Sequence, residues 1–157
     1  MSRILGIDCD SRKIAMVCMD MGGHIKYHII LISKSDTAKE RLPELINMFN
    51  GQLKVINPDH VYIEDSIFIQ NYRTSKTISE IIGNIKYSLK DYDYVTVPVT
   101  TWKKGVIGKG NANKDDVKVF ILKKYPELEG ELQDIIDATA ICLYGIKCEK
   151  GKIKEEY

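Results

Sequence analysis

Apolar residues follow two rhythms along this chain: unbroken or alternating runs in the first part, and three- and four-residue spacings in most of the rest. Ile4-Leu5-Gly6-Ile7 is an unbroken run ending at Asp8, the pattern of a central strand covered on both faces. Lys13 to Asp20 interleaves Ile14, Met16 and Cys18 with Ala15, Val17 and Met19, which predicts a mostly buried second strand. Met21-Gly22-Gly23 predicts a tight turn, because glycine reaches positive φ without a Cβ penalty. His24 to Ser33 then completes a three-stranded antiparallel meander.

Helical spacing starts near Leu42-Pro43, since proline is tolerated in a first turn, and recurs through Leu45, Ile46, Phe49, Leu53 and Ile56 until Asn57-Pro58-Asp59 ends it. His60 to Asp65 predicts a short strand that arrives after a crossover and so lies parallel to the first. Ile67 to Arg73 reads as an exposed loop. Thr74 to Lys90 reads as a helix with Ile78, Ile81, Ile82, Ile85 and Leu89 on one stripe and a capping box at Thr77 and Glu80. Tyr94 to Val99 predicts another strand, Thr101-Trp102-Lys103-Lys104 a helical turn, and the glycine- and asparagine-containing stretch Gly105 to Asn113 a flexible loop. Asn113 is placed to cap a helix running to Tyr125, where Pro126 ends it. The last helix is expected from near Glu131 to about Lys147, with Leu132, Ile136, Ala140 and Leu143 facing the sheet. The expected fold class is α/β, a mixed five-stranded sheet of three antiparallel strands followed by two parallel ones, flanked by helices. It occupies one domain, residues 1–148, with 149–157 a flexible tail.

Composition changes this picture little. A chain of 157 residues is long enough for one domain with a real core. No apolar run is long enough for a membrane span and Met1-Ser2-Arg3 leads straight into a strand, so the expectation is a soluble, intracellular (cytoplasmic) protein. Cys9, Cys18, Cys142 and Cys148 lack CxxC pairing and read as reduced packing residues. His24, His28 and His60 lack ligand spacing and read as structural. Twenty-three basic residues against twenty-two acidic ones leave a formal charge of +1 that names no partner. The distribution does. Seven lysines (Lys103, Lys104, Lys109, Lys114, Lys118, Lys123, Lys124) face only Asp115 and Asp116 between Thr101 and Lys124, whereas Glu127 to Asp137 holds five acids and no base. That arrangement suits a protein that draws a polyanion towards a cation held by carboxylates.

The chemistry lies in the acids that end apolar segments. Asp8 closes the first strand and Glu64 the fourth, while Asp134 and Asp137, three apart, share one face of the last helix. Ionised carboxylates on buried elements are penalised unless something compensates them. A shared divalent metal would do so, and an oxygen-only donor set favours Mg²⁺, with Mn²⁺ as substitute, over zinc. One ion, or two about 3.5–4 Å apart, would serve in-line attack on phosphorus, so the reading is metal-dependent phosphodiester hydrolysis.

With these residues in place the chain resembles the RuvC-like Holliday junction resolvases of the RNase H-like superfamily, over residues 3–147. Ile4-Leu5-Gly6-Ile7-Asp8-x-x-Ser11-Arg12 looks like the family's first strand and first catalytic aspartate. Pro58-Asp59-x-x-x-Ile63-Glu64 looks like the segment bearing its glutamate, and Asp134-x-x-Asp137-Ala138-x-Ala140-Ile141 like its final acidic helix. Lys103 and Lys114, around Val106-x-Gly108-x-Gly110, match two basic positions flanking a glycine-containing loop. The resemblance implies a Mg²⁺-dependent endodeoxyribonuclease. It would act as a homodimer on four-way or other branched DNA, nicking two opposed strands to leave 5′-phosphate and 3′-hydroxyl ends. It implies Asp8, Glu64, Asp134 and Asp137 as catalytic metal ligands and Lys114 as a further catalytic residue. Arg12, Phe68, Arg73, Lys103, Lys104, Lys109 and Lys114 are the candidate DNA contacts, and Thr74 to Lys90, with Gly83 permitting close approach, is the candidate dimer helix. No pattern assigns a branch-migration motor as a partner.

The chain departs from the family where Cys9-Asp10 replaces the usual Pro-Gly, placing a fifth acid near the site, and where Phe68 stands one position beyond the usual junction-wedging phenylalanine. These departures fit a divergent, phage-type enzyme with broader tolerance for branched DNA. Two other readings keep the same fold: a nuclease for RNA/DNA hybrids or structured RNA, and a junction-binding protein without catalysis. A sugar kinase or actin-like ATPase would need a second domain, for which the chain is too short.

Overall fold

The computed structural model describes residues 2–65 and 72–151. Five strands, β1 (Arg3–Cys9), β2 (Lys13–Asp20), β3 (Ile25–Ile32), β4 (His60–Glu64) and β5 (Tyr94–Val97), form one sheet in the order β3-β2-β1-β4-β5. The first three pair antiparallel, and β4 and β5 join β1 in parallel. Helices α1 (Ala38–Ile56), α2 (Tyr72–Ser88), α3 (Val99–Ile107), α4 (Lys114–Lys124) and α5 (Gln133–Glu149) supply the covering layers.

Side-chain alternation divides the strands between two cores. Leu5, Ile7, Ile14, Met16, Val61 and Ile63 pack with Leu45, Phe49 and Leu53 of α1 and Ile81, Ile82, Ile85 and Leu89 from α2 and its exit. Ile4, Ala15, Val17, Met19, Tyr62 and Val97 face the other way, onto α3, α4 and α5. Because the side-chain period is two, Asp8 follows Ile4 and Glu64 follows Tyr62 onto the α5 face. The parallel register sets Ile7 opposite Ile63, so both acids leave neighbouring strands at the same edge.

Two glycines let α5 lie close to the sheet. A Cβ on Gly6 would stand 2.5 Å from the Ala138 carbonyl oxygen and 2.7 Å from the Cys142 nitrogen, and one on Gly145 would stand 2.5 Å from the Tyr62 ring. The two nearest neighbours of Gly6 are backbone atoms and cannot swing aside. Gly6→Ala is therefore expected to destabilise the protein by about 3 kcal/mol, the upper part of the overpacking range, and to lower the melting temperature by roughly 6–12 °C. A variant melting within a degree or two of the parent would contradict this close approach.

α5 is also fixed at its far end. His60 Nδ1 lies 2.6 Å from Asp93 Oδ2 and its Nε2 lies 3.2 Å from Glu149 Oε1, and the Tyr62 hydroxyl donates to the same glutamate. Glu149 is thus held at the end of α5, although the sequence predicts that a flexible tail starts there.

Several boundaries differ from expectation. α1 begins at Ala38, four residues before Leu42, because Thr37 Oγ1 accepts from Glu40 N–H at 3.2 Å and caps it; Pro43 sits inside the helix. The capping box expected at Thr77 and Glu80 is absent, since α2 starts at Tyr72 and the Thr77 hydroxyl donates to the Arg73 carbonyl instead. β5 ends at Val97, and the turn expected at Thr101–Lys104 is part of a nine-residue helix that takes in Gly105, Val106 and Ile107. Burial of Trp102 and Val106 and a hydrogen bond from Lys147 Nζ to the Gly105 carbonyl (3.0 Å) explain why those three residues are helix rather than loop. The cap expected at Asn113 forms a full box with Asp116. Leu132, expected on the sheet, is 46% exposed because it lies before the first turn of α5. No disulfide joins the four cysteines, and no described helix is long and apolar enough to cross a membrane.

Candidate active site

The carboxyl ends of β1, β4 and β5 open onto one edge of the sheet, the usual location of ligand sites in α/β folds. Asp8 is the deepest group there, 7% exposed. Its carboxyl is pushed well above the usual range, first by burial, then by a hydrogen bond shared with the Glu64 carboxyl and by the charges of Glu64, Asp137 and Asp134. All four sequence-predicted acids therefore bear on one buried point.

α5 presents its pair from the first two turns. Asp134 lies in the first turn, where the helix dipole favours a negative charge. Asp137, one turn on, is raised to about 6, chiefly by burial and further by Glu64 and Asp134. Opposing that rise are a 2.9 Å hydrogen bond from Gln133 Nε2 to Asp137 Oδ1 and the charge of Lys103. On the other side Trp102 Nε1 lies 3.4 Å from Glu64 Oε1. Cys9, beside Asp8, keeps its thiol protonated because burial and then the charges of Asp8, Glu64 and Asp134 push it up.

Carboxyls crowded together in a nearly closed position call for a proton or a cation to offset their like charges. The donor set is oxygen, which fits a hard divalent ion. Among the described residues no three His, Cys, Asp or Glu side chains yet stand as a ready-made cation-binding group. The acids are electrostatic neighbours rather than a closed cage.

The basic candidates divide. Lys103 is half-buried, acts on Asp137 and lies 5.8 Å above the Trp102 ring. Lys104, Lys109 and Lys114 are exposed, on α3, on the loop after it and at the first position of α4. Arg12 is exposed in the turn after β1, with Nη1 3.3 Å from the Ser35 carbonyl, and Arg73 is exposed at the start of α2. Asp10 turns its carboxylate back to the Ser11 amide and hydroxyl. Phe68 lies outside the described residues. Sequence reasoning missed Trp102 and Gln133 as neighbours of the acids. Gln133, four residues before Asp137, was legible from helical spacing, whereas nothing local links Trp102 to Glu64.

The sequence profile of the family described as "Crossover junction endodeoxyribonuclease RuvC" matches residues 4–144. The chain belongs to this family. RuvC of Finegoldia magna is 27% identical across 98% of this chain and 98% of its own length, and that of Bdellovibrio bacteriovorus 30% identical across 90% and 88%. The RuvC structure from Thermus thermophilus superposes with a TM-score of 0.79, covering 97% of this chain and 98% of that one; at 18% identity it speaks to the fold alone. That Thermus RuvC is also known in complex with a Holliday junction substrate. As a RuvC-family chain, the protein is an endodeoxyribonuclease by class.

Proposed function

We propose that this chain resolves Holliday junctions, and related branched DNA, by metal-dependent hydrolysis of phosphodiester bonds in two opposed strands. Asp8, Glu64, Asp134 and Asp137 would hold Mg²⁺, or Mn²⁺ in its place, at one or two positions. The observation that carries the reading is the concentration of charge from three acids on the buried Asp8 carboxyl, in a chain of the RuvC family. When bound, Mg²⁺ supplies the positive charge that stabilises the attacking and leaving oxygens. The chain's own residues do the rest: Gly6 lets α5 approach, Gln133 orients Asp137, and Lys103 offsets part of the local negative charge.

The flanking bases give DNA a path to this edge. Arg12 follows β1, Lys104 lies on α3 just after β5, and Arg73, Lys109 and Lys114 stand at the start of α2, beyond the end of α3 and at the start of α4; their exposure suits contacts to phosphate. Lys114→Gln is expected to weaken junction binding about two- to threefold in moderate salt and to reduce the salt slope by roughly one. Identical affinity and turnover at several salt concentrations would remove Lys114 from the interface.

A two-fold dimer suits a substrate with two equivalent strands to cut. The apolar stripe of α2 faces this chain's own core. A dimer contact through that helix would therefore use its outer side, where Gly83 is open and Tyr87 is 70% exposed.

The test is an immobile synthetic four-way junction, a linear duplex and an RNA/DNA hybrid, each incubated with Mg²⁺ or EDTA. Paired nicks on opposed junction arms, ligatable and abolished by EDTA, are expected. Cleavage that survives chelation, or a preference for the hybrid, would contradict the reading.

A further inference from the structure

The end of β4 fixes the Glu64 backbone but not its carboxylate, which has several rotatable bonds and sits beside like charges from Asp8 and Asp137. Left alone, such a side chain would spread over rotamers that relieve repulsion. One rigid group meets it. Trp102, 1% exposed, packs in the same core as Tyr62, Val97 and Val106, and its Nε1 stands 3.4 Å from Glu64 Oε1.

An indole N–H is a donor only, so this contact takes a lone pair of the carboxylate. The ring is locked by packing on all sides, so the carboxylate must come to the indole. At 3.4 Å the bond is long, which suits a contact that tightens when the glutamate is drawn into place. The next residue, Lys103, places its charge on Asp137, so one turn of α3 reaches acids contributed by both β4 and α5.

We propose that Trp102 is a positioning residue for Glu64: its fixed N–H holds Oε1 and presents the carboxylate to the cation shared with Asp8. This rests on the reading of Glu64 as a cation ligand. Groups that orient metal ligands from behind commonly contribute ten- to a hundredfold in metal affinity or activity, and a single long bond belongs at the lower end. Trp102 is also the only tryptophan in the chain, so its emission is an unmixed reporter of events at Glu64.

The experiment is a Mn²⁺ titration of the intact protein, following tryptophan emission excited beyond the tyrosine band and, in parallel, free Mn²⁺ by electron paramagnetic resonance. Wild-type emission is expected to be quenched saturably with the midpoint of Mn²⁺ binding. Trp102→Phe is expected to bind Mn²⁺ about tenfold more weakly. Val106→Ala, which removes packing from the same buried helix face but no donor, is expected to keep wild-type affinity. Emission unmoved at saturating Mn²⁺, a Trp102→Phe affinity within twofold of wild type, or an equal loss in Val106→Ala each overturns the positioning role. Glu64→Gln separates the two levels. If it binds Mn²⁺ as wild type does, Glu64 is no ligand and the premise fails; if it loses binding while Trp102→Phe does not, the premise stands and only the positioning fails.

Discussion

Asp8→Asn is expected to lower junction cleavage by about 10³–10⁴-fold while making the metal-free protein more stable. The two effects have one cause. Asp8 is nearly closed off from water and lies under the charges of three acids, Glu64 foremost. An amide relieves that repulsion and still offers a donor to Glu64, so the folded state gains. The same change removes a negative oxygen from the cation's ligands, and a metal's contribution to phosphoryl chemistry is worth several kcal/mol, at about 1.4 kcal/mol per tenfold. Single-turnover cleavage in Mg²⁺ and urea unfolding in EDTA read the two halves separately. A variant that cuts at the parental rate would remove Asp8 from the reaction, and one less stable than the parent in EDTA would contradict the electrostatic account.

Stability of the metal-free protein is expected to fall as pH rises from about 4.5 to about 7.5, and Mg²⁺ to flatten that fall. The sign follows from linkage. Asp8 and Asp137 hold their protons more tightly folded than unfolded, Asp137 titrating at about 6 against 3.8. Below the unfolded value both states are protonated and nothing is lost. Above it the unfolded chain ionises freely while the folded one resists, so stability drops through the folded pKa. For Asp137 alone this amounts to about 2–3 kcal/mol. Asp20 and Glu44 are shifted down by hydrogen bonds from His24 and Ser35, and their contribution is lost only as pH falls towards the acid end of the range. Urea unfolding at several pH values, with EDTA or Mg²⁺, measures the slope. A metal-free protein whose stability rises steadily to pH 7.5 would show that these carboxyls are not forced together.

Much of this arrangement was legible in the chain because it follows from local periodicity. The apolar run ending in Asp8 and the short strand ending in Glu64 place two acids at strand ends. A spacing of three places Asp134 and Asp137 on one helical face, and the crossover through α1 makes β1 and β4 parallel. Most of what was less legible depends on tertiary contact. Thr37 and Glu40 carry a start signal for α1, but the charged residues between Ala38 and Arg41 show no apolar rhythm and Pro43 draws attention downstream. The glycines around α3 read as a loop, whereas Trp102, Val106 and the Lys147 bond to Gly105 hold a helix through them. Trp102 meets Glu64 only because β4 and α3 are neighbours in space. Gly6 reads in sequence as a weak point in a strand; in the fold it is where α5 comes to rest.

The central claim is that Asp8, Glu64, Asp134 and Asp137 share a divalent cation. The most direct measurement is anomalous diffraction from crystals of the protein grown in Mn²⁺. The account predicts a peak about 2.0–2.2 Å from oxygens of Asp8 and of at least one acid from β4 or α5. Crystals of cleavage-competent protein with manganese bound elsewhere, and none at Asp8, would contradict it.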